Sequence, residues 1–169
     1  TKLVDFPHVS NLLGTINNVK EITAFVHARD ALVCVDAVAY APHRAIDVLD
    51  WNVDFYALSL YKTYGPHHAA LYCRHDHLQE LDGLYHYFYG KDKVPAKMEP
   101  GNANYELSFA SEAIVDYLVT LGEQAGATGS NRKKLAAASD DIEAQDAIPS
   151  KPVLNFPPKR NDFSIPGRK

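Results

Sequence analysis

The chain has 169 residues, enough for one compact domain with a sizeable core. Hydrophobic residues make up 46% and charged residues 22%, the balance of an ordinary globular body. A formal charge of −4 leaves no basic footprint for nucleic acid, no apolar run is long enough to cross a bilayer, and the first residues carry no charged-then-apolar leader.

Leu3 to Val9 reads as a strand with Pro7 near its end. Asn17 or Asn18 can cap a helix running to about Ala28, with Val19, Ile22, Phe25 and Val26 as its apolar stripe. Ala31 to Val35 is a near-continuous apolar run that stops on Asp36, the pattern of a parallel strand covered on both faces. Pro42 to Trp51 is a connection with a short turn around Ile46 to Leu49. Val53 to Ser59 is a strand that leads into Ser59-x-x-Lys62 and the Gly65-Pro66 turn. Ala69 to Cys73 is a further strand, and so short a turn before it predicts an antiparallel return.

Beyond Arg74 the texture changes. His75 to Leu84 is a short helix, and the aromatic run Tyr85 to Tyr89 is expected at a domain or subunit contact. Glu106 to Leu121 reads as one helix with Phe109, Ala113, Ile114, Tyr117, Leu118 and Leu121 buried, ending at Gly122. Gly126 to Asn131 has linker composition, and Arg132 to Ala147 can form a helix with few large apolar residues. Prolines 149, 152, 157, 158 and 166 predict an extended or disordered tail from Pro149 onward.

Asp36 and Lys62 draw attention because each follows an apolar strand. In an open α/β sheet the ligand crevice lies outside the carboxyl ends of the strands. A lysine delivered from a buried strand end loses hydration, and desolvation favours the neutral, nucleophilic amine. An amine and an acid facing one crevice match pyridoxal phosphate, which takes a lysine as Schiff base and an acidic partner for its ring nitrogen. His67-His68 and His75-x-His77 fit no standard zinc spacing and have no thiol partners, so no metal site is assigned. Cys34 and Cys73 lie in apolar runs and read as buried structural thiols in a reducing, cytoplasmic compartment.

Five motifs occur in order. They are His8-Val9-Ser10-Asn11-Leu12-Leu13-Gly14-Thr15-Ile16, Val35-Asp36-Ala37, Asp47-Val48, Asp54-Phe55-Tyr56 with Ser59-x-x-Lys62-x-Tyr64-Gly65-Pro66, and Glu99-Pro100-Gly101-x-x-Asn104-Tyr105-Glu106. In these motifs the stretch from His8 to about Leu121 resembles the fold type I pyridoxal-phosphate enzymes, in the class V aminotransferase and cysteine desulfurase-like group. The resemblance implies an α/β fold, part of a three-layer αβα large domain with a mostly parallel sheet. Residues 1–122 would be the C-terminal half of that cofactor-binding domain, and 123–169 a degenerate start of a small C-terminal domain.

The resemblance also implies roles. Lys62 would form the Schiff base, Asp36 would keep the pyridine nitrogen protonated, and Ser59 would bind the phosphate. Asn11 would face the cofactor or the substrate carboxylate. Tyr61 occupies a cofactor-contacting position where the family often has His. Gly101 and Asn102 lie where the family brings a loop from a second subunit toward the phosphate, so a homodimer is implied. Lys97 stands where desulfurases use an Arg on the amino-acid carboxylate, and Ala39 where Gln is frequent. The persulfide cysteine of desulfurases lies beyond Gly101, where this chain has none, so sulfur transfer is not implied. Family enzymes are much longer, and their phosphate-cradling loop would precede Thr1. Two readings stay open: a pyridoxal-phosphate enzyme chain acting on an amino acid, or a truncated, non-catalytic homologue.

Overall fold

The computed structural model describes residues 1–83, 87–99 and 101–155. Four strands, β1 (Leu3–Pro7), β2 (Leu32–Asp36), β3 (Phe55–Ser59) and β4 (Ala69–Cys73), form one sheet in that order. β1, β2 and β3 run parallel, and β4 returns antiparallel to β3. The link from β3 to β4, a 3-10 turn at Leu60–Lys62 and the Gly65-Pro66 bend, is too short for a parallel crossover. The register pairs Asp36 with Pro7 on one side and with Ala57 on the other. The carboxyl ends of β1 and β2 therefore finish level, just ahead of the Lys62 turn.

Helix α1 (Val19–His27) begins where the Asn18 side chain accepts from the Glu21 N–H at 3.3 Å. It buries Val19, Thr23 and Val26 against Val33, Val35, Val53 and Tyr56. Phe25 was expected in the stripe, yet it is 59% exposed and lies under the Arg29 guanidinium. At about 100° per residue Phe25 falls roughly 120° from Val19, whereas Thr23 falls only about 40° from it.

The expected helix Glu106 to Leu121 is two helices, α3 (Tyr105–Ala110) and α4 (Glu112–Gln124). They break at Ser111, whose hydroxyl donates back to the Leu107 carbonyl at 2.7 Å. Ile114 is buried, but Phe109 of α3 is 80% exposed and Tyr117 of α4 50%, the latter packed at its ring against Tyr64. The helix between Arg74 and Leu84 is shorter than expected, α2 (His75–Glu80), and Tyr87 and Phe88 of the aromatic run are exposed. Tyr85 and His86 lie outside the described residues.

Gly122 does not end its helix. A Cβ there would collide with the Lys134 backbone, so the bare glycine is what lets α5 (Asn131–Asn155) pack closely on α4. The supposed linker is a tight turn with Gly126 and Gly129 at φ 89° and 95°. α5 continues through Pro149 and Pro152, where an extended tail was expected. Proline costs a helix one hydrogen bond but holds a helical φ, and Ser150 Oγ caps the Ala147 carbonyl at 3.1 Å. Residues 156–169 lie outside the described residues.

Candidate functional site

A cleft of about 410 Å³ opens at the carboxyl end of the sheet, lined by Pro7, Val9, Ser10, Asn11, Leu12, Asp36, Val38, Ala39 and Lys62. The loop after β1 brings Asn11, the end of β2 brings Asp36, and the turn after β3 brings Lys62. Asp36 is doubly tethered. Its Oδ1 accepts from the Val38 N–H at 2.9 Å, and its carbonyl accepts from the His8 N–H at 2.7 Å. Among the described residues Oδ2 has no partner, so one carboxylate oxygen remains for a ligand.

Beneath the cleft lies an aromatic floor that the sequence reading did not assign. His8 is 4% exposed, stacks on Tyr40 at 3.5 Å and places Nδ1 2.8 Å from the Tyr56 hydroxyl. The Trp51 ring meets it edge-on at 4.9 Å. Burial holds the His8 imidazole down at about 4 and pushes the Tyr56 phenol up, so both stay neutral at ordinary pH. A rigid, uncharged support thus fixes the backbone that carries Asp36.

Of the remaining predicted site residues, Lys62 reaches the cleft but is not buried there, and Ser59, Tyr61, Gly101 and Asn102 do not line it. Lys62 is exposed, so this chain does not give its amine the dry setting expected of a strand end. It follows the end of β3 on the 3-10 turn, with its Nζ 6.0 Å from the centroid of the Tyr61 ring. Ser59 is 8% exposed and lies under that turn, away from the cleft. Tyr61 is half exposed and stacks on His67 instead, with ring centroids 5.1 Å apart. Gly101 and Asn102 have left-handed backbones (φ 77° and 86°), and Asn102 lines a separate, largely apolar cavity of about 690 Å³ beside β4.

Lys97 lies away from the cleft. It is 1% exposed, and its ammonium donates to the Leu81 carbonyl at 2.6 Å and the Gln79 carbonyl at 3.2 Å. A cation on the last carbonyls of α2 satisfies orphan acceptors and the helix dipole. Its charge is used structurally, not at the cleft.

Cys34 and Cys73 are free and half-buried rather than buried. Burial chiefly, with nearby Asp5 and Asp36 for Cys34 and Asp76 and Asp54 for Cys73, pushes both thiols up and away from the reactive thiolate. His77 spends its Nε2 on Asp54 and His68 lies against Ser108 Oγ.

A mostly parallel α/β sheet gathers an amine, a carboxylate and an amide at its carboxyl end, where open α/β sheets bind their ligands. The chain belongs to the class V aminotransferase family, whose model matches residues 1–154. That family is one of pyridoxal-phosphate enzymes acting on amino acids. The chain is 47% identical over 124 residues to the aminotransferase-like protein FGM3 of Gibberella zeae, covering 73% of this chain and 30% of that relative. It is 39% identical over 120 residues to the cysteine desulfurase-like protein ustD of Aspergillus flavus, covering 70% of this chain and 27% of the relative. Among solved structures it superposes on the cysteine desulfurase CsdA of Escherichia coli with TM-score 0.59 and 24% identity, over 76% of this chain and 39% of that one. It superposes on SspA in complex with cysteine with TM-score 0.57 and 26% identity, over 69% and 33%. The chain therefore spans about a third of the length of these relatives.

Proposed function

We infer that the cleft is the lysine half of a pyridoxal-phosphate site acting on an amino acid, with residues 1–122 as half of the cofactor-binding domain and 123–169 opening a smaller one. The observation that carries this reading is the convergence of Lys62, Asp36 and Asn11 on one cleft from three separate elements. The residues fit the ring: Asp36 keeps one oxygen for a protonated pyridine nitrogen, and Lys62 offers an amine for covalent attachment. They do not supply a phosphate cradle, since Ser59 lies beneath the turn. When bound, the cofactor supplies an electron sink for charge developing at the substrate α-carbon. Lys62 moves the proton at that carbon, Asn11 orients the substrate, and the His8–Tyr40–Tyr56 floor keeps the Asp36 strand end in place. In a homodimer, Gly101 and Asn102 of each chain would complete the phosphate side of the other. Free Cys34 and Cys73 favour a reducing compartment.

A non-catalytic homologue is the second reading, favoured by the exposure of Lys62. Addition of pyridoxal phosphate followed by borohydride reduction separates the two. A Lys62-linked adduct by mass spectrometry, absent in Lys62→Ala, supports the site. Modification spread evenly over surface lysines refutes it.

A further inference from the structure

With Lys97 used elsewhere, the cleft holds, among the described residues, no cation besides its amine for an amino-acid carboxylate. The adjoining cavity, about 340 Å³, shares the walls Val9 and Ala39 with the cleft and holds Arg44 and His43. Its far wall is α5. There the Arg44 guanidinium pairs with Glu143, and His43 Nδ1 lies 2.7 Å from Asp146 Oδ2. Two basic groups are thus each occupied by a carboxylate, and the two carboxylates project from one turn of one helix.

We propose that Arg44 and His43 form a receptor for a small carboxylate in the cavity adjoining the cleft, held closed here by Glu143 and Asp146 of α5. Its use for the substrate carboxylate rests on the reading of the cleft given above; its closure by α5 does not. Arginine's planar fork suits a carboxylate, and exchanging one carboxylate for another on a half-exposed pair costs little. From its middle onward α5 is lightly held. Among its described residues only Ala138 is buried, and Ile148 is 62% exposed. Its other end stays anchored by close packing at Gly122 and by Arg132, which donates to Asp47 at 2.9 Å and to the Ile46 carbonyl at 3.0 Å. A carboxylate entering from the cleft side therefore displaces the Glu143 and Asp146 side chains without unfolding the helix.

The test titrates the whole chain with succinate against sodium chloride at matched ionic strength. Two readouts are followed: fluorescence of the single tryptophan, Trp51, which touches the cavity-lining Tyr40, and proteolytic cleavage of α5. A saturable succinate response beyond the salt control is expected. It should be lost in Arg44→Gln and should shift to roughly two- to fivefold lower concentration in Glu143→Gln, the scale of one surface ion pair. Superimposable succinate and chloride curves would mean screening alone and would overturn the proposal. So would a succinate response that survives Arg44→Gln. No cofactor is used, so this outcome and that of the Lys62 adduct test stand apart.

Discussion

Asp54→Asn removes charge from a buried junction of four elements. The carboxylate is 1% exposed and accepts from the Val33 N–H at 2.8 Å, His27 Nε2 at 2.7 Å and His77 Nε2 at 2.8 Å. It ties α1, β2 and α2 to the start of β3. The Asn52 amide nitrogen lies 3.4 Å from His27 Nδ1, and His27 Nε2 offers its N–H to the Asp54 carboxylate, which can only accept. Burial alone would raise the Asp54 carboxyl; the hydrogen bonds from His27, Val33 and His77 together outweigh it and hold the group below the usual carboxylate range. The introduced amide keeps one accepting oxygen but turns an N–H toward a ring N–H, donor against donor. A hydrogen bond to a charged group contributes roughly 1.5–3 kcal/mol, so one bond lost and two weakened should cost about 3 kcal/mol. With a urea slope of about 2 kcal/mol per molar, the unfolding midpoint at pH 7 should fall by about 1.5 M. Urea denaturation followed by far-UV circular dichroism reads this directly. Because the folded carboxyl titrates below its unfolded value, its contribution is full above the ordinary carboxyl range and fades as pH falls through the folded value. The gap between wild type and variant should therefore narrow below about pH 4. A midpoint within about 0.3 M of wild type at pH 7 would refute the junction as a stabilising element.

Three further outcomes are expected. The imidazole of His8, held at about 4, takes its proton more readily unfolded, so stability should drop by about 3 kcal/mol between pH 6.5 and 4; urea midpoints across that range check it, and a flat profile contradicts it. Thr23 is 1% exposed, and its hydroxyl has no partner among the described residues, so Thr23→Val should stabilise by about 1 kcal/mol, read as a melting temperature higher by roughly 2–4 °C. Gly122→Ala should push α5 off α4 because the obstacle is the Lys134 backbone, costing about 1–3 kcal/mol, and hydrogen exchange of α5 should rise with it.

Much of the body was legible along the chain. The apolar run ending on Asp36 and the short Gly65-Pro66 turn fixed two parallel neighbours and an antiparallel return, because strand order follows from connection length. The amphipathic helix after Asn18 was legible too, apart from Phe25, where several apolar residues competed for one narrow stripe. Of the site, the meeting of Lys62 and Asp36 was readable because each lies at a strand end, whereas Asn11 was implied only by the family resemblance. The fates of Ser59, Tyr61 and Lys97 were not. Each depends on which way a side chain leaves a turn and what it meets, and the carbonyls that receive Lys97 lie 16 and 18 residues away from it.

Local pattern by itself determined the strands, the first helix and the chemical types gathered at the sheet's carboxyl end, since periodicity and connection length act over a few residues. Only the tertiary structure decided what surrounds those groups. The neutral His8 floor, the Asp54 junction and the α5 carboxylates on Arg44 and His43 join residues up to 103 positions apart. Burial and hydrogen-bond partners at that range are products of packing, and packing holds the His8 imidazole neutral beside the Asp36 strand end.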